Sequence, residues 1–389
     1  ISTSRKACVC CRTIKSRRVP DTPAATTPPS VFDLDPPGLG RLIESWGWPA
    51  YRTEQILHWV YREQVVDPAE MTNLSQADRC QLASGLAFLT TSVTEHQSAE
   101  DGTQKLLLHV PATDAKAPPA ATECVMIPAD EGTPRRTACV SSQVGCPVGC
   151  RFCASGIGGL EANLSAGQIL EQVWHLNRLP QVAVTHVVFM GMGEPLCNYQ
   201  NVVAAIRGLT APWGFGLSAR RITLSTVGLP AQIRRLADQL NLPVTLAISL
   251  HAPTDALRQQ IIPWAERTPI AALVDAGRYY FQQTGREVTL EYILLGGVND
   301  RPQHARELAE VARKLRSNVN LIGYNPVAGL PFKRPQADDI MGFQRDLRQR
   351  GVNVHVRASR GRDIAAACGQ LRHENASTGD EPSTVGLRT

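Results

Sequence analysis

Thr137-Ala-Cys-Val-Ser-Ser-Gln-Val-Gly-Cys146-Pro-Val-Gly-Cys150-Arg-Phe-Cys153 reads as a short apolar strand that runs directly into a loop carrying three cysteines. Downstream of this strand, placed at 139–144, further apolar stretches follow at 184–190, 220–225, 244–250, 287–294 and 319–324, each separated from the next by a helical stretch. Strands alternating with helices imply a parallel sheet, because parallel pairing needs a long crossover. The pattern predicts an α/β fold, a partial (β/α)6 barrel, with its site at the C-terminal ends of the strands. One helix has an explicit start, since Ser165 and Gln168 form a capping-box pair ahead of Ile169, Leu170 and Val173. Another should stop at Gly351, after Arg348 and Arg350.

The spacing of Cys146, Cys150 and Cys153 points to a metal cluster. Three thiolates on one short loop leave one iron of a cubane without a protein ligand. That iron can take an exogenous chelate, such as the amino and carboxylate groups of a methionine. Purely electron-transferring clusters more often use four cysteines. The competing reading is a zinc loop completed by a distant fourth ligand.

Towards the N-terminus, Leu39, Leu42, Ile43, Ile56, Leu57, Val60 and Tyr61 recur at helical spacing, which predicts a small all-α domain over 31–90. Strands are expected at 105–110 and 123–127, in an extension covering 91–138 and split by a loop around Pro118 and Pro119. The barrel then occupies 139–371. Residues 1–30 are basic and proline-containing and are expected to be a disordered tail, as are residues 372–389. Cys8, Cys10 and Cys11 lie in the first tail with no histidine before His58 to complete a zinc site.

A net charge of +5 fits a nucleic-acid partner without requiring one. No apolar run is long enough for a membrane span, and the basic N-terminal segment lacks the apolar core of a secretory signal. Clustered cysteines without such a signal favour metal or redox chemistry in a reducing compartment, so a cytoplasmic protein is expected.

The cysteine loop resembles that of the radical S-adenosylmethionine (SAM) superfamily. Within it, residues 31–371 resemble the RlmN/Cfr family of RNA adenine methyltransferases. The resemblance rests on the 137–153 stretch and on Met190-Gly-Met-Gly-Glu-Pro195, Leu224-Ser-Thr226, Ile248-Ser-Leu-His-Ala-Pro253, Tyr324-Asn-Pro326 and Arg360-Gly-Arg-Asp-Ile-Ala-Ala-Ala-Cys-Gly-Gln-Leu371, in family order. It implies a radical SAM barrel with a helical accessory domain that helps grip RNA. It also implies a 4Fe–4S cluster on Cys146, Cys150 and Cys153, and SAM held by Gly193, Glu194, Ser225, Ser249, Leu250, His251 and Asn325.

The resemblance further makes Cys368 the carrier of a methyl group, Cys139 the resolving thiol that ends in a disulfide with Cys368, and Glu123 the base that takes the ring proton. The implied reaction is methylation of carbon 2 of adenine 2503 in 23S rRNA, with tRNA as a further substrate. The implied partners are those RNAs and a one-electron donor such as flavodoxin or ferredoxin, and a monomer suffices. Carbon 2 of adenine is electron-poor, so ordinary methyl transfer to it fails and radical addition supplies a route. Residues 154–160, Ala-Ser-Gly-Ile-Gly-Gly-Leu, depart from the Ser-Thr-Ala-Gln-Gln-Gly-Phe wording of housekeeping members and are closer to Cfr-like ones, which methylate carbon 8. Methylation of carbon 8 is therefore the nearest rival, and a non-catalytic iron–sulfur RNA-binding protein is the rival of another class. Cys80, Cys124 and Cys197 are expected to be structural. Arg41, Arg52, Arg62 and Arg79, interleaved with Trp46, Trp48, Tyr51 and Trp59, suit RNA binding by the helical domain as a whole.

Overall fold

The computed structural model describes residues 28–111, 120–128, 135–180 and 183–371. Cys8, Cys10 and Cys11, the loop at Pro118 and Pro119, and the C-terminal tail lie outside the described residues, as does nearly all of the N-terminal one.

The helical domain comprises α1 (Pro36–Ser45), α2 (Tyr51–Tyr61) and α3 (Gln76–Gly85). Asp35 caps α1 by accepting from Gly38 N at 2.8 Å, with prolines at the first helical positions. The domain is fixed to the rest of the molecule at several points. Tyr61 meets Phe32, Trp213 and Phe215 edge-on, and the Arg62 guanidinium donates to the carbonyls of Pro212 and Phe215.

The chain then builds β1 (Ser92–Ser98), β2 (Gln104–Val110), β3 (Ala120–Pro128) and β4 (Arg136–Cys139), paired antiparallel in that order. It leaves the sheet for a hairpin of β5 (Gln143–Gly145) and β6 (Leu160–Asn163), whose long connection is the cysteine loop. Regular alternation follows: α4 (Ala166–Asn177), β7 (His186–Phe189), α5 (Tyr199–Thr210), β8 (Ile222–Thr226), α6 (Pro230–Gln239) and β9 (Thr245–Ser249). After two helices, α7 (Asp255–Ile261) and α8 (Ile270–Thr284), come β10 (Val288–Leu294), α9 (Pro302–Ala312), β11 (Ser317–Gly323), α10 (Ala337–Gln349) and β12 (Val354–Arg357). One ten-stranded sheet results, in the order β1-β2-β3-β4-β7-β8-β9-β10-β11-β12, parallel from β4 onward. It is an open, partial barrel. The central strands are buried on both faces, as parallel strands under helices must be, and every residue of β10 is buried.

The two expected helix signals have their physical counterparts. Ser165 Oγ accepts from Gln168 N at 3.1 Å while Gln168 Oε1 accepts from Ser165 N at 2.9 Å. α10 ends just before Gly351, whose φ of +76° suits glycine.

Three expectations need correction. The strand at 139–144 is two elements, because the Gln172 side chain takes both backbone groups of Ser141 (2.8 and 2.9 Å) and removes it from any ladder. The boundary expected at 138/139 falls inside β4, so the extension and the barrel share one hydrogen-bonded sheet. Three strands went unexpected, β1, β6 and β12. β6 is a four-residue hairpin arm, while β1 and β12 form the sheet's edges, and their exposed polar residues give no apolar run.

Candidate active site at the strand ends

Cys146, Cys150 and Cys153 are half-buried free thiols on the β5–β6 connection. Their loop is anchored to a separate apolar cluster that includes Val148, Phe152, Ile293 and Leu295. Gly145 is indispensable to the hairpin, since a Cβ there would stand 2.1 Å from the carbonyl oxygen of Gly159. Burial pushes the Cys146 thiol up to about 12, and Cys150 and Cys153 are raised for the same reason, with the neighbouring thiols adding to it. Such thiols ionise when a cationic centre binds them. Among the described residues no three His, Cys, Asp or Glu side chains converge as they would on a single metal ion.

The three cysteines face a cavity that opens to solvent and holds about 820 Å³ of empty space, open solvent included. Its walls come from the ends of successive parallel strands and include Gly193 and Glu194 after β7, Ser225 on β8, Ser249 on β9, His251, and Glu291 on β10. The glycines of 191–193 permit close approach, but to the protein itself. A Cβ on Gly191 would be 2.6 Å from Ser141 Oγ, and one on Gly193 would be 2.7 Å from Gln143 Cβ. Glu194 is buried, and its oxygens accept from Leu196 N at 3.0 Å and Val227 N at 2.7 Å. Burial pushes its carboxyl up to about 7 against the pull of those bonds. Ser225 Oγ and Ser249 Oγ lie 3.3 Å apart.

His251 has φ of +58°, an uncommon conformation outside glycine. Its Nδ1 accepts from Ile293 N at 3.1 Å, which fixes the neutral tautomer with hydrogen on Nε2. Burial, with Arg258 adding, drives its pKa down to about 3. The ring stands edge-on to Phe152 of the cysteine loop at 5.2 Å.

Two of the residues expected to hold a cofactor do not line this cavity with their side chains. Leu250 packs in the main core and lines neither cavity of the site. Asn325 lines a second cavity and is occupied with protein groups. Its Nδ2 donates to the Cys368 carbonyl at 3.3 Å and its Oδ1 accepts from Arg334 at 3.1 Å.

That second cavity is lined by Cys139 and Cys368 together with Met190, Ile322 and Arg357. Cys368 lines both cavities and stands at their junction. Burial raises the Cys139 thiol to about 12, with Cys368 adding and Arg357 opposing. The loop bearing Cys368 is held by its backbone: Ala154 N donates to Gly369 O at 2.8 Å, and Ser155 Oγ to Leu371 O at 2.6 Å. It is also tied to the β1–β2 turn, where Asp101 accepts from Gly361 N and Asp363 accepts from Glu100 N.

Glu123 lies on β3, two residues from Val125, which pairs with Cys139. It is buried and ion-paired to Lys105 at 2.8 Å, and it lines neither cavity. Cys124 points the other way, into the main core. Arg258 had no local signature, being one arginine in a helix. It is fully buried beside Cys150 and donates to the Val227, Ser249, Leu250 and Thr268 carbonyls and the Thr268 hydroxyl. In the helical domain, Arg52 pairs with Asp78 and Arg79 bonds the carbonyls of Leu74 and Ala69. With Arg62, they hold the fold together.

Residues 30–87 match the model of the ribosomal RNA large subunit methyltransferase N-terminal domain, and residues 140–311 that of the Radical SAM superfamily. The chain is 47% identical over 352 residues to the probable dual-specificity RNA methyltransferase RlmN of Synechococcus sp. (strain CC9311), covering 87% of this chain and 99% of that one. The chain belongs to the RlmN family. Its similarity to the corresponding protein of Salinibacter ruber (strain DSM 13855 / M31) is 46% over 346 residues, 87% of this chain and 92% of that one. The crystal structure of a radical SAM methyltransferase from Sphaerobacter thermophilus superposes with a TM-score of 0.84 at 43% identity, covering 89% of this chain and 99% of that one. As an RlmN-family member the chain is a radical SAM RNA methyltransferase that uses a 4Fe–4S cluster and SAM. A non-catalytic iron–sulfur RNA-binding protein is thereby set aside. The three thiols and the adjoining cavity fit both groups.

Proposed function

We propose that this chain methylates carbon 2 of adenine 2503 in 23S rRNA, with tRNA as a further substrate, through a methyl group carried on Cys368. The supporting observation is that Cys368 lies at the junction of two cavities, one facing Cys146, Cys150 and Cys153 and the other containing Cys139. With the cluster bound on those three cysteines and reduced, SAM becomes a source of a carbon-centred radical that removes hydrogen.

The chain's residues perform the rest. Cys368 accepts a methyl group on sulfur from one SAM, which leaves as S-adenosylhomocysteine, and loss of one hydrogen atom to the radical derived from a second SAM leaves a carbon radical that adds to the adenine ring. Asn325, Ala154 and Ser155 hold the backbone around Cys368, so its thiol can address either cavity while the loop stays fixed. Glu123, on the strand beside Cys139 and ion-paired to Lys105, takes the ring proton. Once the adduct has given back the one electron spent on starting the radical, Cys139 attacks the sulfur of Cys368. The pair from the broken carbon–sulfur bond stays on the released methylene, which takes up a proton to become methyl, and a disulfide is left. The neutral His251 and the two oxygens of Glu194 shape the opposite wall, where Glu194 retains lone pairs for the cofactor's ammonium. Helix lengths fit this picture: no helix among the described residues is long and apolar enough to cross a membrane, and we place the reaction in the cytoplasm with the RNA. A flavodoxin or ferredoxin would supply the electron, and a monomer carries the whole site.

The test is anaerobic turnover of reconstituted protein with methyl-deuterated SAM and a 23S rRNA fragment, comparing wild type with Cys368→Ala. The expected product is 2-methyladenosine retaining two deuterons, and none from the variant. Three deuterons, or an active variant, would overturn the role of Cys368. 8-Methyladenosine would overturn the regiochemistry alone.

A further inference from the structure

One carboxylate in the cysteine-lined cavity has no part in the chemistry above. Glu291 lies in the middle of β10, is 3% exposed and lines that cavity. Its Oε1 accepts from Asn320 Nδ2 at 3.1 Å. Its Oε2 is buried with no hydrogen-bond partner among the described residues. Burial pushes the carboxyl up, and Arg357 and Asn320 oppose the rise, yet no Arg357 nitrogen bonds Oε2. The other polar groups on this wall already have partners. Glu194 accepts from two backbone N–H groups, the serines face each other, and His251 Nδ1 accepts from Ile293 N. A buried acceptor without a donor is costly, and a ligand in the cavity is the natural source of one.

Position identifies the donor. Ile293 shares the face of Glu291 and packs with the cysteine loop, so Glu291 sits one step deeper in the barrel than the cluster end. Cys368 lines the same cavity. A SAM molecule anchored at the cluster by its amino-acid end, and presenting its 5′ carbon towards Cys368, sets its ribose between these two limits. Vicinal ribose hydroxyls are natural donors to a single carboxylate, the recognition used by acidic residues in dinucleotide-binding folds. We propose that Glu291 receives the ribose hydroxyls of SAM in this cavity. This assignment rests on the reading of the cavity as the SAM site and adds a binding residue to it.

The experiment is equilibrium dialysis of SAM and its 2′,3′-dideoxyribose analogue against protein with reconstituted cluster, without RNA. Wild type should bind the analogue roughly 10- to 100-fold more weakly, the worth of hydrogen bonds to a charged group. In Glu291→Gln that ratio should shrink several-fold, and in Glu291→Ala it should approach unity. The ratio is internal to each variant, so a general loss of affinity cancels, and cluster absorbance reports that each variant is folded. An unchanged ratio in either folded variant overturns the assignment alone. Failure of wild type to bind SAM overturns the reading of the cavity along with it.

Discussion

The two cavities that meet at Cys368 are built in opposite ways. The cysteine-lined one is walled by the ends of parallel strands, and its polar groups are fixed by backbone N–H groups and by the buried Arg258. The other shares Met190 and Ile322 with it but takes most of its walls from the antiparallel extension, from β12 and from the C-terminal loop, and is mostly apolar apart from its thiols, arginines, Asn325 and Ser359. On the proposed function, the difference separates two tasks. A site that holds a charged cofactor needs oriented dipoles set in advance. A site that receives a base and resolves an adduct needs room, a second sulfur and little else.

Four measurements would break or sharpen this contrast. Cys139→Ala should disable the second cavity alone. 5′-Deoxyadenosine still forms, but RNA stays covalently attached and turnover stops at one event, seen as a shifted band on a denaturing gel. Free product from this variant would dissolve the division of labour.

Arg258→Met should damage the first cavity, because it orphans carbonyls at the ends of β8 and β9. A loss of about 3 kcal/mol in urea unfolding is expected, with poorer cluster retention. A variant as stable as wild type would show that the strand ends hold themselves.

His251 supplies a pH signature. Its pKa is held near 3 in the fold against 6.5 ordinarily, so the unfolded chain binds the proton first. Stability from this residue is complete above pH 6.5 and declines as pH falls towards 3. The decline should reach on the order of 2 kcal/mol by pH 5. His251→Asn, which tolerates the positive φ, should flatten that acid limb in urea titrations at several pH values. An equally steep limb in the variant would assign the loss to other groups. The smallest effect is expected from Cys124→Ala, which trims the core behind Glu123: about 1 kcal/mol of stability and unchanged turnover. Impaired turnover would put Cys124 in the chemistry.

Legibility from sequence followed the same division. The parallel half announces itself through apolar runs such as those of β7, β9 and β10, and through a cysteine spacing that only a cluster explains well. The extension was harder to read. β1 and β12 are polar edge strands, and the pairing of Val125 with Cys139 is a matter of register that no local pattern carries. Glu291 could have been noticed as a charge inside the apolar run Val288-Thr-Leu-Glu-Tyr-Ile-Leu294. Arg258 could not, because a buried cation in a helix looks like an exposed one until its acceptors are seen. Leu250 and Asn325, taken over from the family pattern, have neighbours other than a cofactor cavity.

The loop carrying Cys368 binds the β1–β2 turn across 263 residues of sequence, between Asp363 and Glu100. Contacts of such separation carry a large closure entropy and slow the assembly that depends on them. The sulfur proposed to carry the methyl group is thus expected to reach its place late in folding. A half-assembled chain, even one whose cysteine loop has already formed, would then have no methyl carrier to offer RNA.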